Sequence, residues 1–240
     1  MGLARRLAAK GEILGGTAPT ESVSKTMGLY LAELFRLGGG ENFVPPSSLA
    51  EAMDVSVPAV SRMGRRLTQM GLVDRAHYRG IRLTTTGRRE GLRTIRYHRL
   101  AEAFLVNVMG YGWHEAHDLA DALAEIADEA FVQRMDEKAG YPRRCPHGEP
   151  IPRPDGEMPV VDDVPLGEIA EGEDVLVSRV RTRDADRLQY LAKVGLVPEA
   201  RVRVEARAPF GGAMRVRIGR EECVLGSELA AALYVTRLDD

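Results

Sequence analysis

The sequence predicts a mainly α-helical fold followed by a small β domain. Three observations carry that expectation. Apolar residues recur at helical spacing from Ser24 to Ala139, a Pro- and Asp-rich stretch covers 151–165, and short alternating runs fill the remainder. The 240 residues are 44% apolar, enough for buried cores, and no apolar run reaches the ~18 residues of a membrane span. Arg5 and Arg6 precede a mixed segment rather than an apolar one, so no signal peptide is expected, and a cytoplasmic setting follows. Cys145 and Cys223 are too few and too distant to form a disulfide framework. The net charge of −2 hides an asymmetry. Residues 1–100 hold 16 Lys/Arg against 8 Asp/Glu, a net +8, whereas 101–240 hold 17 against 27, a net −10. A basic front half points to polyanion contact, and an acidic rear half to cation contact or plain solvation.

In the front half, Met27, Tyr30, Leu31, Leu34 and Phe35 follow helical spacing, and the Gly38–Gly40 run stops the helix. Ser47 or Ser48 is expected to cap a short helix holding Leu49, Ala50 and Met53. After a tight turn at Asp54–Ser56, Ser56 suits the N-cap of a second helix, whose first turn tolerates Pro58. Val60, Met63, Leu67 and Met70 give it a buried face, and Gly71 closes it. The other face carries Ala59, Arg62, Arg65 and Arg66. Two short helices across a tight turn, the second basic outside, form a helix-turn-helix whose second helix fits a major groove. The runs "LVDRAH" and "IRLT" flank "YRG" as a β-hairpin, a wing carrying Arg75, Arg79 and Arg82 for phosphates. A merely solvated basic helix and hairpin is the bland alternative. The ordered series of helix, turn, basic helix and basic hairpin is more specific than charge alone.

The middle reads as a helix from about Thr86 to Met109, with His98 and Glu102 four residues apart on one face. A second helix is expected from about Trp113 to Ala139, where His117, Asp121 and Glu125 recur every fourth residue. Antiparallel packing would join these faces into a nitrogen and oxygen cluster suited to a divalent metal. Taken singly, each of these is more often a surface interaction or a wet helix face than a ligand set, and only their combination points to a metal. Next comes "CPHGEPIP", with a thiol and an imidazole two residues apart among three prolines. It is open to three readings: a nucleophile with its base, half a metal site, or an inert linker. A thiol enzyme would also need an orienting group and an oxyanion hole, and nothing in the sequence marks either.

Beyond the linker, "DVLVSRV", "ARVRVEAR", "AMRVRIG" and "ECVLG" alternate as strands, with a helical "DADRLQYLAKVGL" among them. "LAKVGLVPEARVRV" is similar to the SH3-like barrel of ferrous-transport accessory (FeoA) proteins.

The run from Ser24 to about Pro152 resembles the diphtheria-toxin-repressor family of iron- and manganese-dependent transcription regulators. The stretches that carry it are "SVPAVSRMGRRLTQMGLV", "LTTTGRREG", "YHRLAEAFL", "AHDLADALAE" and "CPHGEPIP". This resemblance implies an N-terminal winged helix-turn-helix over 24–90 after a tail at 1–23. A helical dimerisation and metal-binding domain over 91–152, a linker over 153–165 and an SH3-like, FeoA-type domain over 166–240 follow. It makes His98, Glu102 and His117 metal ligands and puts Asp121 where the family has a Cys or Glu. Ala124 and Glu125 stand where a Glu-His pair is usual, and Leu29 where an acidic or Met ligand is expected, so the usual primary site has lost ligands. The second site implied comprises Glu102, Cys145 and His147, with Asp184 or Asp186 as the acid from the C-terminal domain.

The expected protein is therefore a homodimeric, metal-activated repressor on a palindromic DNA operator, with no organic cofactor, no membrane contact and no enzymatic activity. Its DNA contacts are Ser56, Pro58, Ala59, Arg62 and Arg65 on the helix and Arg75 and Arg79 on the wing. Oxygen and nitrogen ligands favour manganese, and the lone Cys keeps iron and zinc open. The rivals are a winged-helix regulator that has lost metal control and a thiol enzyme using Cys145.

Overall fold

The computed structural model describes residues 22–238, apart from the side chain of Glu125, so most of the expected tail lies outside the described residues. Helix α1 (Lys25–Arg36) starts where the Ser24 hydroxyl accepts the Met27 N–H at 3.3 Å, and buries Met27, Tyr30, Leu31 and Leu34. Helix α2 (Pro46–Ala52) departs from expectation at its start. Pro45 holds the cap position without a side-chain bond, and Ser47 and Ser48 lie inside the helix. Pro46 at the first position removes an N–H that would otherwise want a cap. Helix α3 (Val57–Gln69) is capped by Ser56, buries Val60 and Leu67, and ends at Gly71 with φ +68°. Strands β1 (Val73–Ala76) and β2 (Gly80–Leu83) form the antiparallel wing. A bridge between Val44 and Ile81 joins the wing to the segment entering α2. Helices and wing thus share one core of Leu31, Leu49, Val60, Leu67 and Ile81.

Helix α4 (Thr85–Asn107) is the spine, capped by Thr84 and packed on α1 through Leu92 and Ile95 against Ala32. The single helix expected from Trp113 to Ala139 is instead two, α5 (Ala116–Ile126) and α6 (Glu129–Lys138). Ala127 turns extended, and the Asp128 carboxylate accepts the Phe131 N–H at 2.8 Å. An aspartate N-cap followed by Glu129 in the first turn starts a new helix. Helix α6 is tied to α4 by Arg96, which donates to Asp136 at 2.6 Å and to the Pro152 carbonyl at 2.8 Å.

The segment expected as a linker is anchored at two points. Met158 packs beside Ala32, Leu92 and Ile95, and the Asp163 carboxylate is fully covered, held by both Arg179 Nε and Nη2 at 2.8 Å. Strand β3 (Val164–Pro165) then leads through a single 3-10 turn to β4 (Asp174–Val180), α7 (Ala185–Lys193), β5 (Arg201–Arg207), β6 (Met214–Ile218), β7 (Glu221–Leu225), α8 (Ser227–Ala232) and β8 (Leu233–Arg237). These strands form one antiparallel sheet in the order β3-β8-β4-β5-β6-β7 around Leu166, Val177, Leu188, Val204 and Leu233. A bulge between Val177 and Arg179 bends β4 where it meets the helical domain.

Gly87 marks the tightest seam between the winged helix and the spine, because a Cβ there would lie 1.8 Å from the Leu72 carbonyl oxygen. That oxygen also accepts the Thr84 N–H at 3.1 Å. Gly87→Ala is expected to destabilise the fold by about 2 kcal/mol through overpacking, whereas alanine usually favours a helix. Chemical denaturation of the two proteins checks the sign.

Candidate metal centre

Helix α4 presents His98 and Glu102 one turn apart, α5 brings His117 and Asp121 opposite them, and the turn after α6 closes over both with Cys145 and His147. Glu102 Oε1 lies 3.1 Å from His98 Nε2, 3.1 Å from His117 Nδ1 and 3.3 Å from His147 Nδ1. His98 Nε2 and His117 Nδ1 are themselves 3.2 Å apart, and Cys145 Sγ is 3.9 Å from His147 Nδ1. Asp121 reaches His98 Nδ1 at 2.7 Å and His117 Nε2 at 3.8 Å. Two groups of donors result, Glu102 with Cys145 and His147, and His98 with His117 and Asp121. They adjoin a cavity of about 440 Å³ that is also lined by Glu33, Arg36, Arg99, Glu149 and Arg183.

Electrostatics explain why the cluster holds together. Glu102 is only 3% exposed, and an uncompensated carboxylate at such depth costs several kcal/mol. Burial pushes its carboxyl up, but the bonds from His117, His147 and His98 win and hold it well below the usual value. Burial alone would lower His98, yet Asp121 and Glu102 raise it above an ordinary imidazole. Asp121 is lowered in turn, its burial outweighed by His98. Burial and the Glu102 charge push the Cys145 thiol well up, so it is a poor nucleophile.

One observation tests the fit to a cation directly. His147 Nε2–H donates to the Trp113 carbonyl at 2.9 Å, so Nδ1 is the nitrogen left facing the carboxylate. A lone pair and a carboxylate at that separation need a proton or a cation between them. A buried set of carboxylate, imidazole and thiol donors with one imidazole tautomer fixed from behind is what a divalent transition metal takes up.

On the front domain, Arg62 and Arg65 are exposed along α3, beside Ser56, Pro58 and the half-buried Ala59 at its start. Arg75 and Arg79 are exposed on the wing, with Arg79 over the Phe43 ring at 4.7 Å. Arg82 also stacks on Phe43 and pairs with Asp74 at 3.2 Å, so part of its charge is answered within the hairpin.

Residues 22–81 match the family described as iron dependent repressor, N-terminal DNA binding domain, and 84–153 match its metal binding and dimerisation domain. Residues 164–237 match the FeoA domain. The iron-dependent repressor IdeR of Mycobacterium tuberculosis strain H37Rv is 35% identical over 89% of this chain and 97% of its own length. The chain belongs to the iron-dependent repressor family. Solved relatives include a manganese-dependent transcriptional repressor in complex with manganese, 36% identical with a TM-score of 0.81, covering 88% of this chain and all of that one. ScaR with bound zinc is 32% identical with a TM-score of 0.75, covering 88% of this chain and 99% of that one. This member of the family is a metal-responsive DNA-binding repressor, not an enzyme.

Not every residue expected at the repressor's site is brought there. Asp184 caps α7 by accepting the Arg187 N–H at 3.0 Å, and Asp186 is exposed on the same helix, so neither acid reaches the donors. Helix capping claimed Asp184, and the barrel instead turns Arg183 into the cavity, 4.0 Å from Glu33. Asp121, expected with Glu125 at a separate site, pairs with His98. The Glu125 side chain lies outside the described residues. Leu29 is 42% exposed, across a separate apolar-floored cavity from Asp121. Sequence reasoning missed Trp113, Arg99, Glu149 and Arg183. Only the lone Trp, four residues before His117, gave any signal.

Protons and metal compete at this centre with opposite dependence on pH. The raised His98 gives the metal-free fold stability that is complete below about pH 6.5 and fades as pH rises through its folded value. A cation held by these donors would need His98 neutral or its partners free, and the Cys145 proton gone, so it would gain over the same range. The rise in melting temperature on adding Mn2+ is therefore expected to grow between about pH 6 and about pH 8. Paired thermal melts with Mn2+ or chelator check it, and a rise that shrinks with pH contradicts the assignment.

Proposed function

We propose that this repressor is manganese-responsive and grips a palindromic operator as a homodimer, with Glu102, Cys145 and His147 holding the cation and His98, His117 and Asp121 adjoining them. The observation that carries this reading is the convergence of three imidazole nitrogens and a thiol on one buried carboxylate. With Asp184 engaged as a helix cap and Asp186 exposed on the same helix, the proposed protein donors are two nitrogen or oxygen ligands and one sulfur, which also leaves iron and zinc as binders. Manganese is favoured by the relative whose name carries it, and iron by the IdeR relatives. Metal holds the α4 spine, α5 and the turn in one arrangement, and α4 packs directly on α1 of the winged helix. A ligand that binds that arrangement better raises DNA affinity by its differential binding alone.

Exposed Val108, Met109, Leu119, Ile126 and Phe131 give the helical domain an apolar surface that suits a second copy. A dimer sets two α3 helices about 34 Å apart, one turn of duplex. Ser56, Pro58, Ala59, Arg62 and Arg65 then face base edges and phosphates, with Arg75 and Arg79 on backbone.

Duplexes selected from a random pool by the Mn2+-loaded chain are expected to contain an inverted repeat. Fluorescence anisotropy should show binding lost on chelation and restored by Mn2+. Equal binding after the metal is stripped favours the rival in which metal control has been lost. Arg62→Ala is expected to weaken the selected site by about 1–3 kcal/mol and to relax base preference. Arg79→Ala should weaken all duplexes alike and reduce the salt dependence by about one counterion. Anisotropy over a salt series separates the two effects.

A further inference from the structure

The C-terminal barrel and the metal centre meet at one residue. Trp113, in the loop between α4 and α5, packs against the barrel core and stacks its ring on His147 with centroids 5.4 Å apart. Its carbonyl accepts the His147 Nε2–H at 2.9 Å. Among the described residues its buried indole N–H has no hydrogen-bond partner, so its contacts with the barrel and with His147 are made by its ring faces and its carbonyl. From the other side the barrel holds the backbone of the same turn. The Val180 N–H of β4 donates to the His147 carbonyl at 2.8 Å, and the Ser178 carbonyl sits so close over Gly148 that a Cβ there would lie 2.1 Å from it. Arg144 bridges the Gly148 carbonyl at 2.7 Å and the Ser178 hydroxyl at 3.3 Å. The imidazole of His147 is thereby fixed at its backbone, its ring face and its Nε2, and Nδ1 alone is left to face Glu102 and Cys145.

We propose that Trp113 is the positioning residue of the metal-binding turn, locking the His147 ring so that Nδ1 points at the cation and making metal affinity depend on how the barrel is seated. This rests on the reading that Glu102, Cys145 and His147 hold the metal. A histidine ligand free to rotate must be ordered on binding, so removing the stack lowers affinity without removing a donor. Loss of a group that orients a metal-ligating histidine typically costs about 10–100-fold.

The test is Mn2+ affinity by equilibrium dialysis on the full chain, for the unaltered protein, Trp113→Phe and Trp113→Leu, each with and without His147→Ala. Trp113→Phe keeps an aromatic face and drops the orphan N–H, and is expected to bind within about threefold of the unaltered chain. Trp113→Leu fills the core without a stacking face and is expected to bind about tenfold more weakly or worse. In the His147→Ala background the Phe and Leu proteins should bind alike, because no ring remains to be held. Trp113→Leu binding like the unaltered protein overturns the proposal. So does a Leu deficit that persists undiminished with His147→Ala, the mark of a merely structural role. Trp113 is the only tryptophan, so its emission supplies a second readout that needs no substitution. Emission that changes in step with Mn2+ uptake supports the proposal, and emission unmoved at saturation overturns it even if the Leu protein fails to fold. If the unaltered chain takes up no cation at all, the metal reading itself fails and takes this inference with it.

Discussion

A single buried carboxylate organises the centre of this molecule. Glu102 cannot remain ionised at its depth without positive partners, and the fold answers with imidazoles from three separate segments. That requirement reaches well beyond the donors themselves. It places α5 against α4, brings the turn after α6 back across both, and leaves one cavity open between the helical domain, α1 and the barrel. The same charge that makes the metal-free cluster depend on protons makes it a place for a divalent cation. A proton shared among imidazoles neutralises the carboxylate locally, whereas a metal held by the proposed Glu102, Cys145 and His147 would tie the spine and the turn to one point. The difference between those two ways of meeting one electrostatic demand is the physical content of a metal switch.

Arginines set the boundary conditions around this carboxylate. Arg99 is lowered by its burial, yet it donates to the Pro150 carbonyl at 2.5 Å and to Glu149 at 2.9 Å, fixing the chain just after the Cys145–His147 turn. Glu149 also meets Arg179 at 3.3 Å, and Arg179 grips the covered Asp163. These alternating charges run from the spine helix through the turn to the barrel without an unanswered member. Partly buried pairs of this kind contribute little net stability, but breaking one leaves a charge without its partner, so they fix geometry firmly. The stretch between the helical domain and the barrel is accordingly a strap and not a flexible tether.

Much of this was legible in the sequence, for identifiable reasons. The winged helix announced itself because its signals are local: Ser56 caps α3, Gly71 ends it, and the buried face recurs at a fixed spacing. His98 with Glu102 and His117 with Asp121 were legible because helical periodicity alone puts residues four apart on one face. The break at Ala127 was lost because a run of helix formers on both sides masks a single aspartate cap. The placement of Asp184 went unread by the opposite competition, since a side chain that can cap a helix end is held there. Arg183 could not be read at all, and Trp113 gave no more than its singularity and its place four residues before His117. Their roles come from tertiary closure, where the barrel folds back across more than sixty residues of intervening chain.

That closure also explains why the barrel is more than an appendage. An isolated "CPHG" turn would leave the His147 ring free to rotate, and both ring nitrogens would be available to metal or solvent. The bulge in β4 presents the Ser178 carbonyl and the Val180 N–H to the turn, and Trp113 covers the ring with its opposite side seated in the barrel core. The tautomer of His147 is therefore set by the Trp113 carbonyl of the helical domain, while the barrel holds the backbone of the turn and packs against the Trp113 ring. The price of a rigid His147 ring is dependence on that docking, and under the proposed metal site a change that loosens the barrel is expected to weaken metal binding. The same cavity touches Glu33 and Arg36 at the end of α1, so the winged helix, the donor cluster and the barrel meet in one volume, the arrangement that the proposed metal response requires.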